Sequence, residues 1–509
     1  MTRPSRPRPL PHLAALVLLG AAVAIQAATR TLPAPPADWI RVAEGVDYRE
    51  YILPLPNRVF VTRMDLSNPN VILDTGVAAG TLAEGKETVA GIADRYDGVV
   101  NAWGGAWGPR NDVVAAINGS SFDLSTGVPL GGQYASGWMI QRYTALAGGS
   151  GLVWTSDGKA FVGGCIQYNG WPQTFTVDRT KARAEIDALN TPRDDDGLWL
   201  YTPQFSSRTP EGAGRIMARV EVEGPIGAER LPGAVHGVVR ELADGRSSIQ
   251  IPFGHVVLAG RGPIAEPVLR TLRVGDAVGF SSDPVDLDLD CQGRSGHSWR
   301  NVYATLGGGF VFLHDGRIRT SADLGENSRD PRTAVCLNDD NLYFVVVDGR
   351  QDSWSVGMTL GEVGAFCQDE LGADFGINQD GGGSSTLWVD GTIRNRPSDG
   401  NPRPVANGWM MIVLEPAQRS QLFEEGFRTW LQQSTDLRIG PGTDYPTTHA
   451  LPAGEEVVIS DTLGDVQGFY ARGSHWWRVS LDDDEGWIAQ DTLLSPDRSL
   501  AVFKIPKRD

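Results

Sequence analysis

Short apolar runs, each closed by a polar or glycine-rich turn, recur along the chain, and this patterning predicts strands. Val59-Phe60-Val61 and Val71-Ile72-Leu73 come early, and Val113–Ile117 is apolar throughout before it runs into Asn118-Gly119-Ser120-Ser121-Phe122-Asp123. Leu152 to about Phe280 reads as further strands and turns, such as Leu198–Tyr201 and Ile249–Ile251. Phe310–Leu313 follows Gly307-Gly308-Gly309, Ala334–Leu337 follows Ser328-Arg329-Asp330-Pro331-Arg332-Thr333, and Leu342–Val347 ends in Asp348-Gly349-Arg350. One stretch changes period: Leu360, Val363, Phe366 and Leu371 share a helical face. Thr359-x-x-Glu362 makes a capping box for that helix, and Gly372 supplies its stop. The fold class expected is α+β (mixed α/β, rich in strand), with a small all-β unit at the C-terminal end.

The helix leads through Phe375-Gly376-Ile377 into Asn378-Gln379-Asp380-Gly381-Gly382-Gly383-Ser384-Ser385-Thr386. If the strands on either side of the helix are parallel, the crossover returns the chain to the same end of the sheet. Asp348 and Asp380 would then converge. Three glycines in a row let the backbone approach a ligand with no Cβ in the way, and successive N–H groups in such a loop form an anion site.

Composition narrows the partners. The chain has 509 residues, 62 Gly, 32 Pro and a net charge of −17, with no basic run in the folded part, which excludes nucleic acid. Arg3, Arg6 and Arg8 precede the apolar run Leu13–Ile25 and the small residues Ala27 and Ala28, the pattern of an export signal over 1–28, cleaved near Ala27 or Ala28 or, as the alternative, kept as an uncleaved anchor. The expectation is an exported protein, periplasmic or secreted. A Pro-rich tether follows over 29–37, then a large domain over 38–415, a polar linker over 416–428, the small unit over 429–495 and a tail over 496–509. Cys165, Cys291, Cys336 and Cys367 allow three pairings in an oxidising compartment, and a bridge from strand to helix favours Cys336 with Cys367. Asp286, Asp288 and Asp290 alternate along one strand face, which suits either calcium or solvent; no other cofactor is indicated.

Several motifs in order give the chain a family resemblance. Ala116–Asp123, Arg329–Val335, Val347–Arg350, Gly357-Met358-Thr359-Leu360-x-Glu362, Asn378–Thr386 and Arg403-x-Val405-Ala406-Asn407 resemble the phosphodiester glycosidase family over roughly Asp38–Leu414. Gln379 stands where an apolar residue is expected. Leu437-Arg438-x-Gly440-Pro441-Gly442, Leu451-Pro452-Ala453-Gly454, Trp476-Trp477-x-Val479 and Gly486-Trp487-Ile488 resemble a bacterial SH3-like domain, a barrel whose relatives take cell-wall or peptide ligands. Trp477 and Trp487 serve equally as its core.

The glycosidase resemblance implies a phosphorylated saccharide or glycan substrate, cut between the anomeric carbon and its oxygen. Such a transition state resembles an oxocarbenium ion, which a carboxylate stabilises or attacks. The leaving phosphate, with a second pKa of about 6, needs less help from an acid than from cations and N–H donors. Asp348 and Asp380 are the candidate acid, base or nucleophile, and Glu362 joins them in competition with its capping role. Arg332, Arg350 and the Gly381, Gly382 and Gly383 backbone are candidates for the phosphate, Arg403 follows from the resemblance, and Ser384 and Ser385 donate to ligand oxygens. Asn118 and Asp123 bind sugar hydroxyls or close their own loop; Asp348 and Arg332 could equally be ion partners of Arg350 and Asp330. Rival readings are a glycan- or wall-binding protein without catalysis and a phosphodiesterase that cuts P–O bonds.

Overall fold

Strand pairing dominates the architecture because most of the apolar runs are short and turn-bounded. The computed structural model describes residues 38–496 apart from 104–105, 109–110, 144–150, 164–165, 168–172, 227–234, 282–284, 287–296, 298, 300, 321–324, 417 and 483. The signal and tether, the tail past 496, Cys165, Cys291 and the side chains of Asp286, Asp288 and Asp290 lie outside the described residues. The expected α+β class is corrected here: 46% of the chain is strand and 10% helix, so the fold is mainly β. Helical periodicity is confined to three α-helices among the described residues, Val89–Asp97, Gly262–Leu269 and Leu360–Leu371.

Two sheets frame the region of interest. The first has eight strands, with Asn57–Asp65, Asn341–Val347, Arg332–Leu337 and Phe375–Asn378 side by side at its centre. The second has five, ordered Thr392–Ile393, Leu387–Val389, Asn111–Asn118, Asn407–Leu414 and Val71–Val77. Phe60, Val335, Phe344 and Ile377 from the first pack with Ile117, Trp409 and Met410 from the second in one buried core. The other face of the eight-stranded sheet carries the helix Leu360–Leu371, whose Val363 and Phe366 are buried with Val345 and Val347. Thr359 Oγ1 accepts from Glu362 N at 3.2 Å and Glu362 Oε2 from Thr359 N at 2.9 Å, so the capping box forms. Gly372 closes the helix in the left-handed region at φ 64°, and a Cys336–Cys367 disulfide ties helix to sheet, the pairing favoured from the sequence.

Residues 174–281 contribute a second eight-stranded sheet, and the C-terminal unit is a seven-stranded sheet from Arg428 to Ala489. The described residues between 38 and 496 fall in one compact unit. Trp476 and Trp487 share a buried cluster with Phe253 and Val256, while Trp477 lies in the module's own core. Arg478, 5% exposed, donates to Glu221 across the junction at 2.5 Å and to Glu485 within the module at 2.7 Å. The stretch expected as a linker is packed: Phe423 is buried in the module core and Ser420 N donates to Gly468 O at 2.7 Å.

Candidate active site

Asp348 and Asp380 reach the same end of the eight-stranded sheet by an indirect route. Arg332–Leu337 is antiparallel to Asn341–Val347 on one side and to Phe375–Asn378 on the other. Those two outer strands are therefore parallel, with the helix crossing between them, as the sequence predicted, but a third strand separates them. Arg332 faces Val347 and Ala334 faces Asn378, so Asp348 and Asp380 emerge on either side of Pro331-Arg332.

The second sheet is fastened at the same point. Asp380 N donates to Gly119 O at 2.9 Å, and Asn118 Nδ2 donates to Asp380 O at 2.7 Å. Asn118 Oδ1 in turn accepts from Thr333 Oγ1 at 2.8 Å and from Thr386 N at 3.1 Å. Asn118 is fully buried and occupied, so it joins the two sheets and fixes the Asp380 backbone.

The carboxyl of Asp380 is half-buried. Burial raises its pKa above the ordinary carboxylate value, opposed by the Ser384 and Ser121 hydroxyls and the Arg403 charge. Ser121 Oγ donates to its Oδ1 at 3.2 Å. Gly382 takes φ 61° and Gly382–Ser384 form a short 3-10 turn. A Cβ on Gly383 would fall 2.0 Å from Arg403 Nη2 and 2.3 Å from Asp399 Oδ2, and one on Gly382 would fall 3.2 Å from Arg350 Nη2. Glycine is thus what admits two guanidinium groups onto the turn. Arg403 is paired with Asp399 at 2.7 Å, and Arg350, 53% exposed at its side chain, with Asp330 at 2.9 Å. Arg350 itself has φ 59°, a backbone strain that non-glycine residues keep chiefly at functional positions.

Other candidates are placed elsewhere or otherwise occupied. Asp348 is 1% exposed, and its carboxylate accepts from Trp354 Nε1 at 2.7 Å, Asn395 Nδ2 at 3.0 Å and Arg396 N at 3.0 Å. Burial raises its pKa against those three donors. Its partners are these groups, not Arg350. Arg332 is buried and donates to the carbonyls of Met358 at 2.9 Å, Gly325 at 2.8 Å and Ser328 at 2.7 Å, which holds the loop before its strand. Glu362 caps its helix and pairs with Arg329. Asp123 closes its own exposed turn, accepting from Ser125 Oγ at 2.5 Å, Thr126 N at 2.9 Å and Ser125 N at 2.8 Å, bonds that pull its pKa down to about 2. Ser384 and Ser385 are buried in the turn. Ser121 and Asp399 belong to the cluster although sequence reasoning gave them no role, and Asp330, read there as a possible partner of Arg332, pairs with Arg350 instead. The four-residue spacing of Asp399 and Arg403 was the available signal for one of them.

A half-buried carboxylate, two arginines and a glycine turn at the junction of two sheets describe a site for an anionic substrate. Residues 237–412 match the phosphodiester glycosidase family model, and residues 434–493 match the bacterial SH3 domain model, so both resemblances read from the motifs are borne out. Among solved structures, a hypothetical protein from Synechocystis is similar at 20% identity and TM-score 0.49, over 75% of this chain; this chain spans 64% of that one. The zebrafish N-acetylglucosamine-1-phosphodiester alpha-N-acetylglucosaminidase catalytic domain, auto-inhibited by its pro-peptide, is similar at 14% identity and TM-score 0.34, over 73% of this chain and 82% of that one. No curated protein matches the chain.

Proposed function

We propose that this chain is an exported hydrolase that cleaves the glycosidic C–O bond of a sugar-1-phosphodiester. In this reading Asp380 meets the anomeric carbon, where its carboxylate stabilises or attacks the developing oxocarbenium ion. Arg350, Arg403 and the Gly383 N–H hold the phosphate, whose low pKa lets it leave without a strong general acid, while Gly382 N is given to Pro331 O at 2.9 Å. Arginine suits that task because its planar fork pairs two phosphate oxygens at once. Asp348 acts through Trp354, the Asn395 side chain and the Arg396 backbone as a positioning residue. The observation that carries the reading is the approach of both guanidinium groups to the glycine turn that follows Asp380. The family match supports the bond type.

Hydrolysis in oxygen-18 water tests it. Label in the released sugar is the expected outcome, and label in the phosphate assigns cleavage to the P–O bond and overturns the proposal. Asp380→Asn is expected to abolish turnover with an unchanged melting temperature. A folded Asp380→Asn protein that retains full turnover removes the carboxylate from the mechanism. In the same reading the SH3-like module supplies a cell-wall or peptide ligand surface, checked by co-sedimentation with purified wall material.

A further inference from the structure

A second site lies away from Asp380, where the C-terminal module meets the rest of the chain. A cavity of about 370 Å³ opens there, within the size range of small-molecule pockets. Val77, Val100, Trp138, Ile140 and Phe253 give it an apolar body, and the module closes it with Ile439, Tyr445 and Pro446.

One end of the cavity is polar. Ser136, left-handed at φ 50°, lies there with Tyr96 and Asn101. Behind them the fully buried Asp74 accepts from Tyr96, from Ser136 N at 2.9 Å and from Thr75 N at 2.7 Å. Ser136 Oγ is 2.7 Å from Asp74 Oδ2 and 2.9 Å from Asn101 Oδ1, and its single hydrogen serves one of them. Three lining residues hold a buried polar atom with no partner: Thr81 Oγ1, Asn101 Nδ2 and Gln204 Oε1. Turning the Asn101 amide over exchanges which of its atoms is unpaired but leaves one so. A buried polar atom without a partner is destabilising, because it has given up its water and gained nothing in return. As they stand these atoms are closed off from water, and the soft terminal torsions of Asn101 and Gln204 let two of them turn toward an occupant of the cavity.

We propose that this cavity binds an uncharged molecule with an apolar ring body and a hydroxyl or amide group. The orphaned atoms include both donor and acceptor types, and a hydroxyl or amide can serve either. Glu84 in the lining and the buried Asp74 behind Ser136 disfavour an anion, while Asp444 is paired with Arg472 at 2.8 Å. Arg95, the cation in the lining, is taken by Glu87 at 2.8 Å. Because Tyr445 and Phe253 come from opposite sides of the junction, occupancy also fastens the module. This site is independent of the chemistry proposed at Asp380.

Calorimetric titration of the full chain with 2-naphthol tests the proposal, with 2-naphthalenesulfonate as the charged counterpart. Saturable one-to-one binding is expected for 2-naphthol, with the sulfonate weaker by about ten-fold or more. Val99→Trp, which fills the cavity from a partly exposed position, is expected to abolish binding. Gln204→Leu, which removes an orphaned acceptor at similar volume, is expected to weaken it by about ten-fold. Absence of saturable heat, equal binding of the sulfonate, or affinity unchanged in Gln204→Leu overturns the proposal. If Val99→Trp fails to fold, Gln204→Leu and the sulfonate comparison still decide.

Discussion

Asp380 shows how one residue's surroundings set its chemistry. Burial pushes its carboxyl up while the Ser121 and Ser384 hydroxyls pull it down, and the carboxylate form is the one the proposed mechanism uses. Activity should therefore rise with pH through a limb displaced above the usual carboxylate range. Ser121→Ala removes a donor that favours the charged form, so that limb should move further toward alkaline pH, as measured by kcat/KM profiles. Gly383→Ala puts a methyl group where Arg403 and Asp399 now lie; a loss of about 1–3 kcal/mol in urea unfolding is expected. A raised KM for a sugar-1-phosphodiester should accompany it. Gln379 is 1% exposed, with Oε1 unpaired and Nε2 donating to Asn378 O at 3.2 Å. Gln379→Leu removes that unpaired buried acceptor and should raise stability by about 1 kcal/mol in the same assay.

At the scale of elements, the helix Leu360–Leu371 was the most legible piece of the chain. Its cap, apolar face and glycine stop are all local signals, and Thr359→Ala should cost about 1 kcal/mol, read as a lower urea midpoint. The convergence of Asp348 and Asp380 was legible too, because strand, helix and strand follow one another in sequence. What could not be read was the strand between them: Arg332–Leu337 precedes both, and no local pattern tells a chain where an earlier strand will insert. Roles within the motifs were hidden for a related reason. Arg332 and Asp348 have the residue types that phosphate and sugar chemistry want, yet each is consumed by groups distant in sequence, the Met358 carbonyl for one and Asn395 for the other. Asn118 likewise spends its amide on Asp380 O and Thr333. The strand content was underestimated because a single clear helix weighed heavily against many short runs without strict alternation.

Across the whole molecule, the C-terminal module is held by a charge network as well as by apolar contact. Arg478 and Glu221 are 6% and 3% exposed at their side chains; Glu221 also pairs with Arg240 at 2.7 Å and Arg478 with Glu485 at 2.7 Å, so each keeps a second partner when the other is removed. Arg478→Ala should cost about 1–3 kcal/mol in unfolding experiments, because Glu221 loses one of its two guanidinium partners and keeps Arg240. Phe253 N also donates to Ile439 O at 2.8 Å, and the Phe253 and Trp487 rings meet edge to face at 5.9 Å. This junction has a practical corollary for anyone handling the protein. A protease that nicks the backbone near residue 416 should yield two bands on a denaturing gel yet one peak in native size-exclusion chromatography, because the fragments remain clasped without a covalent bond.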